Sequence, residues 1–289
     1  MKADATTSRD VTGGVRAMTR SYQAEVYSFG SEPLTRRMTM DYAARCISGG
    51  EAAAVLLDTV PAEGIDRWWI ESAFPDLTRH RNFPSAATSG VAIGGIQRLE
   101  KENLIAGLID YFCYAGKVND KLKHTQFVEL CVDELNAEPV FVGAWGELPL
   151  ASRREFVANP NGSYSVGPHC DAIHFGRDAN WPIKADINEG GDQLSMVLTV
   201  GPSSDAAGIV LWDLRPESRA ELDELLAEFA SSREIRRLAG RRSVAVRARA
   251  GQMTILNTRL LHAVEQCVTP RRTIGAFLIW HGGGWHMFH

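Results

Sequence analysis

Gly167-Pro168-His169-Cys170-Asp171 is the stretch on which the reading of this chain turns. On an extended segment, side chains two positions apart project to the same face, so His169 and Asp171 point together while Cys170 points away. A second histidine, His262, stands far downstream. Two ligands from one strand face plus a distant histidine make up the donor set of a 2-His-1-carboxylate iron site. Arg271 follows His262 and opens the run Arg271-Arg272-Thr273-Ile274-Gly275-Ala276-Phe277-Leu278-Ile279-Trp280. A guanidinium there is suited to the far carboxylate of a 2-oxo acid co-substrate.

Outward from this stretch, the chain from Val140 onward consists of short apolar runs divided by turns, the pattern of an all-β region. Candidate strands are Val140 to Trp145, Tyr164 to Pro168, a segment around His169 to Phe175, and Leu194 to Val200. Gly208 to Leu214, Ser243 to Arg249, Met253 to Leu256 and Thr273 to Trp280 follow, with His262 in a loop-like segment between the last two. That number of strands suits a double-sheet jelly roll. Pro216 to Phe229 reads as a helix inserted between strands.

The first half reads differently. Thr35 to Ser48 has helical spacing, Ala53 to Asp58 is a short apolar strand, and Pro61 is placed to lead a helix through Trp68, Trp69 and Ile70. Leu104 to Leu135 carries two amphipathic stripes, Ile105, Leu108, Ile109 and Phe112 and then Phe127, Leu130, Cys131 and Leu135, with a break expected at Gly116. Both stripes are expected to face the core. The polar segment 1–20 reads as a disordered arm, not a secretory signal. The expected organisation is a single α+β domain over 21–289. Helical support occupies 21–138, a jelly-roll, cupin-like double-stranded β-helix 139–280, and a C-terminal tail 281–289.

Composition excludes several classes. Net charge is -4, so no basic face advertises nucleic acid or anionic lipid. No apolar window has the length of a membrane span. The 5 cysteines are odd in number and contain no CxxC pair, which argues against a disulfide framework or a zinc knot. A reducing cytoplasm suits them, and it suits ferrous iron. No GxGxxG, P-loop, GxSxG or HExxH motif occurs. A small-molecule substrate is expected, and oligomeric state stays open.

His-x-Asp alone is a common accident, and a surface histidine beside a solvated aspartate is its plain reading. The setting adds weight. Strand parity puts Arg271, Thr273, Gly275 and Phe277 on one face and sends Arg272 to the other, although a bulge would exchange the two arginines. His174, Arg177, Trp181 and Lys184 lie in the loop-like stretch 172–191, which reads equally as a lid offering substrate contacts and as a solvated loop. His281, His286 and His289 sit in a glycine-rich tail that either folds over the site or is disordered, with Trp285 and Phe288 favouring a docked tail.

With these residues in order, the chain resembles the iron(II)- and 2-oxoglutarate-dependent dioxygenases from Gly167 to Trp280, and more weakly in the helical half. Gln193-Leu194-Ser195, Gly208 to Leu214, Gly251 to Leu256 with His262, and Pro270-Arg271-Arg272-Thr273-Ile274-Gly275 carry a narrower resemblance. They look like the branch containing the welwitindolinone-type halogenases and the N-succinyl-amino-acid hydroxylases. Those halogenases replace the carboxylate of His-x-Asp with a small residue that opens a chloride site. Asp171 retains it, so the resemblance implies hydroxylation. It further implies that His169, Asp171 and His262 hold Fe(II), and that Arg271 with Thr273 grips 2-oxoglutarate. Decarboxylation by O2 to succinate and CO2 would then drive oxidation of an unactivated C–H bond in an amino acid, a modified amino acid or a natural-product intermediate. Desaturation and oxidative ring closure remain open outcomes. A non-catalytic, cupin-like metal-binding domain is the alternative from another class, and it has no need of Arg271.

Overall fold

The computed structural model describes residues 20–72, 77–79, 85–89, 101–142, 145–160, 162–171, 193–201 and 207–289. The first elements are β1 (Tyr22–Tyr27), β2 (Leu34–Met38), α1 (Met40–Ser48), β3 (Ala54–Asp58), α2 (Ile65–Glu71), β4 (Leu77–Arg79) and β5 (Ala86–Ser89). Next come α3 (Lys101–Leu122), α4 (Gln126–Leu135), β6 (Glu138–Pro139), β7 (Phe141–Val142), β8 (Gly146–Glu147), β9 (Ser152–Phe156) and β10 (Tyr164–His169). The chain continues through β11 (Leu194–Thr199), β12 (Ile209–Trp212), α5 (Arg219–Ser232), β13 (Ser243–Val246) and β14 (Gln252–Asn257). It closes with β15 (His262–Glu265), β16 (Arg271–His281) and β17 (Gly284–Phe288).

One 11-stranded sheet runs β2-β1-β3-β14-β11-β16-β9-β5-β4, with β17 beside β16 and β6 beside β17. A second, 4-stranded sheet runs β10-β15-β12-β13. Strand β11 explains the layering. It is buried along its whole length, as a central strand covered on both faces must be. Leu194, Met196 and Leu198 pack into the main core with residues of α1 and α4, such as Ala43, Ile47, Phe127 and Cys131. The alternate positions Ser195 and Val197 face a cavity that residues of the second sheet also line. The architecture is thus mixed α/β, with α1 and α4 on one face of the large sheet, a small sheet across the other, and α5 packed against the small sheet.

Local chemistry fixes several joints. Thr39 Oγ1 accepts the Tyr42 amide at 3.1 Å and caps α1, so the stretch expected to be helical from Thr35 is instead strand β2 followed by a capped helix. Gly251 has φ +86 and a backbone so close to Val60 that a Cβ would strike the Val60 carbonyl, while its own carbonyl accepts from Val60 N and Thr59 Oγ1. No L side chain fits there without strain.

Other expectations need correcting. Beside the expected strand, found as β3, the first half also contributes β1, β2, β4 and β5. Helix α2 begins at Ile65, after Pro61. Gly116 is absorbed into α3, and the helix ends only before Lys123. On α3, Leu108 and Phe112 are buried, but Ile105 and Ile109 are 49% and 50% exposed, so that stripe is narrower than its periodicity implied. His262 opens a strand and is not in a loop. The C-terminal segment is neither a cover nor a free tail: Gly284 to His281 and Phe288 to Phe277 are strand pairs of the large sheet. Residues 1–19 and 172–192 lie outside the described residues, and with them most of the expected arm and His174, Arg177, Trp181 and Lys184. No helix among the described residues is long and apolar enough to cross a membrane.

Candidate metal centre

Strand pairing assembles the centre. Strands β10 and β15 are antiparallel with Val166 opposite Val264 and His169 opposite His262. Three steps on β10 therefore face two on β15, and the irregularity falls at Gly167-Pro168. A bulge of this kind re-aims the residues beyond it. It lets Val166 and His169, of opposite parity on a regular strand, both line the cavity with His262 and Val264. The two imidazoles lie with centroids 4.3 Å apart.

Asp171 follows directly. Its amide donates to the Thr258 carbonyl at 3.1 Å, and its own carbonyl accepts from the Gln193 side chain. So pinned, it sends Oδ1 to 3.7 Å from His169 Nε2 and Oδ2 to 3.5 Å from His262 Nε2. One donor atom from each of the three residues lies within 4.8 Å of the others.

The far side of each ring selects its tautomer. His169 Nδ1 is 2.8 Å from the Gly167 carbonyl and His262 Nδ1 is 2.9 Å from the Leu260 carbonyl. A carbonyl only accepts, so each Nδ1 carries a hydrogen, and each Nε2 is the nitrogen turned toward Asp171. Backbone carbonyls orient metal-bound histidines in this way. Burial, reinforced by the neighbouring His262, pushes the His169 pKa down to about 4 against the pull of Asp171. It is a neutral donor near pH 7. Burial alone would raise the Asp171 carboxyl, but His169, His262 and Arg154 outweigh it and hold it well below the usual carboxylate range. Two imidazoles and a carboxylate on one side of an open cavity fit a non-haem Fe(II) ion.

The cavity continues to Arg271 and Thr273, which sit on the same face of β16. Arg271 is 3% exposed, and its Nε, Nη1 and Nη2 are buried with no hydrogen-bond partner among the described residues. The Thr273 hydroxyl is also buried and unpartnered. A buried guanidinium without a counter-ion is costly, and an anion supplied to the cavity removes that cost. Arg272 points elsewhere: its Nε meets Glu155 at 2.9 Å and its guanidinium lies over the Trp69 ring. Cys170 also turns away, its thiol donating toward the Arg259 carbonyl at 3.6 Å.

No protein-family model matches the chain, and no curated protein matches it. Among solved structures it is similar to an N-substituted L-amino acid dioxygenase from Burkholderia ambifaria AMMD. Identity is 35%, the TM-score is 0.81, and the match covers 94% of this chain and 100% of that one. The chain belongs to the iron(II)- and 2-oxoglutarate-dependent dioxygenases. The same Burkholderia enzyme in complex with alpha-ketoglutarate (2-oxoglutarate) gives a TM-score of 0.80 at 35% identity, again over 94% and 100% of the two chains.

The dioxygenase's cavity contains residues that sequence reasoning did not single out. Arg154 enters from β9 opposite Thr273, and Ser195, Val197 and Leu256 line the wall of the large sheet. Only strand register brings Arg154 to this wall, and no local motif marks it.

Proposed function

We propose that this dioxygenase hydroxylates an unactivated C–H bond of a small N-substituted L-amino acid, with succinate and CO2 as co-products. The observation that carries the proposal is one cavity with a three-donor metal set and a buried guanidinium whose three nitrogens have no partner among the described residues. The substrate class comes from the Burkholderia relative, which spans its full length in the comparison. The core is read here as a double-stranded β-helix, a jelly roll made by the small sheet β10-β15-β12-β13 facing the middle of the large one, within a single domain over 21–289.

In this reading His169, Asp171 and His262 hold Fe(II) through Nε2, a carboxylate oxygen and Nε2. Arg271 binds the far carboxylate of 2-oxoglutarate as a fork, with the Thr273 hydroxyl adding a hydrogen bond. Together, iron and the 2-oxo acid supply O2-driven decarboxylation and the oxidising power that puts oxygen into a C–H bond. The protein orients the reactants. The carbonyls of Gly167 and Leu260 fix the ring tautomers, and Val166, Val197, Ile209, Leu256 and Val264 give the cavity an apolar wall that limits water. Asp171 fills the third ligand position, which a halogenase leaves to chloride.

Succinate release tests the proposal. The Fe(II)-loaded chain, given 2-oxoglutarate and a panel of N-acetyl- and N-succinyl-L-amino acids, is expected to form succinate in step with a product 16 Da heavier. Arg271→Gln is expected to abolish both signals. Coupled turnover that survives Arg271→Gln, or turnover needing no 2-oxoglutarate, would overturn it.

A further inference from the structure

The cavity wall carries a second guanidinium that the reading above does not use. Arg154 stands on β9 opposite Thr273, on the cavity face. Its immediate neighbours are spoken for: Arg153 lies over the Trp69 ring and Glu155 pairs with Arg272. Arg154 has no carboxylate within ion-pair distance among the described residues. Its hydrogen bond runs from Nη2 to the Nε2 of His289, at 2.9 Å.

His289 is built to hold it. The ring is 3% exposed, stacks parallel on Phe277 with centroids 5.8 Å apart, and takes the Ser152 hydroxyl at 2.6 Å on the same Nε2. Tyr111 donates to the His289 carbonyl at 2.8 Å. Nε2 is therefore an acceptor facing two donors, and burial with the adjacent Arg154 keeps the ring neutral by pushing its pKa down to about 3. The Arg154 guanidinium also lies 5.6 Å from the centre of the Phe277 ring. Phe277 is the strand partner of Ser195, several residues along β16 from Arg271, so this head group is displaced from Arg271. It is also the arginine whose charge acts on Asp171.

We propose that Arg154, oriented by His289, is a second carboxylate-binding site in the cavity, on the metal side and separate from Arg271. This rests on the reading of the cavity as an iron and 2-oxo acid site. Charge supports it. Arg154, Arg271 and a divalent ion against one Asp171 carboxylate leave a large positive excess in a buried space, which anions must offset. The bound carboxylate comes from the metal-proximal end of 2-oxoglutarate or from the amino-acid substrate. His289 is a positioning residue, acting through Arg154.

Arg154→Gln, Arg154→Lys and His289→Ala, each loaded with Fe(II) without oxygen, test the assignment by calorimetry in two arms. One arm titrates 2-oxoglutarate. The other titrates N-acetyl- and N-succinyl-L-leucine, and their C-terminal amides, with 2-oxoglutarate saturating. Arg154→Gln is expected to lose about 30-fold or more in one arm, the magnitude for removing one member of a buried charge pair. Arg154→Lys is expected to recover part of it, and His289→Ala to lose less in the same arm. If the substrate is the source, the N-acetyl amide binds wild type and Arg154→Gln alike, and the N-succinyl amide does so when the α-carboxylate is the group held but loses affinity in the variant when the succinyl carboxylate is. Fe(II) affinity is expected to stay unchanged in all three variants, and the unfolding midpoint to stay unchanged in the two Arg154 variants. Affinities within about threefold in both arms, including a probe that wild type does not bind, overturn the inference. So does a parallel fall in Fe(II) affinity, which marks a structural role. A wild-type chain that binds neither Fe(II) nor 2-oxoglutarate overturns the proposed function as well, whereas one that binds both and ignores Arg154→Gln overturns only this inference.

Discussion

Replacing Arg271 with Met should make the ligand-free protein more stable while destroying its response to 2-oxoglutarate. Arg271 is buried and all three guanidinium nitrogens lack partners among the described residues. An unsatisfied buried polar group costs roughly 1–3 kcal/mol, and well-packed apolar replacements of buried charges are often stabilising by a similar amount. Methionine keeps most of the stem volume and removes the charge. The unfolding midpoint of the ligand-free chain should therefore rise by roughly 2–10 °C, at about 2–4 °C per kcal/mol for a chain near this size. In wild type, 2-oxoglutarate at about 100 times its Kd adds ~2.7 kcal/mol through mass action. Scanning calorimetry of the Fe(II)-loaded proteins without oxygen, with and without 2-oxoglutarate, measures both effects. The variant should start higher and fail to move. A variant that unfolds earlier than wild type and still shifts with 2-oxoglutarate would refute the reasoning at both steps.

Arg272→Gln is the matched control: its ion pair with Glu155 is 42% exposed on the arginine side, so stability should change by less than about 1 kcal/mol and 2-oxoglutarate affinity by less than about twofold. Lost 2-oxoglutarate affinity and lost activity in that variant, with both retained in Arg271→Gln, would show the two arginines exchanged. Acid should weaken the metal-free fold. His169 and His289 have folded values of about 4 and about 3 against an ordinary 6.5, so the unfolded chain binds more protons as pH falls below 6.5. Their stability contribution is complete above that pH and drains at about 1.4 kcal/mol per unit for each ring until the folded values are reached. Unfolding free energies from urea titrations at pH 7 and pH 5 should differ by roughly 3–4 kcal/mol, and equal values would contradict the burial of neutral rings. Gly251→Ala should cost several kcal/mol because φ is +86 and the Val60 carbonyl occupies the Cβ position, whereas Gly283→Ala, at φ +89 with open space, should cost about 1 kcal/mol. Chemical denaturation of both variants reads the difference.

Period-two patterning made the cavity wall legible. Arg271, Thr273 and Phe277 share a face in the sequence as they do in β16, because that strand is regular through this span. His169 and Asp171 were legible as a pair, but for a reason that parity alone misses: a bulge at Gly167-Pro168 turns His169 onto the Val166 face. His262 read as loop because its strand is only 4 residues long and takes its identity from pairing with β10 and β12. Strand β9 was invisible. Ser152-Arg153-Arg154-Glu155-Phe156 is too charged to read as a sheet interior, and only its register with β16 shows which arginine turns inward. The glycines before Trp285 hid a buried strand for a similar reason: Trp285 and Phe288 owe their burial to partners remote in sequence, including a Trp285 bond to Asp41 at 2.9 Å.

Anaerobic binding of Fe(II) and then 2-oxoglutarate, measured on wild type, Asp171→Ala, His262→Ala and Arg271→Gln, tests the central claim most directly. Wild type should bind one equivalent of each, with the charge-transfer absorption of an Fe(II)–2-oxo acid chelate appearing on the second addition. The two ligand variants should lose tight iron binding. Arg271→Gln should keep the iron and lose the 2-oxo acid by about 30-fold or more. Undiminished iron binding in Asp171→Ala and His262→Ala, or a full chelate spectrum in Arg271→Gln at wild-type affinity, would contradict the account.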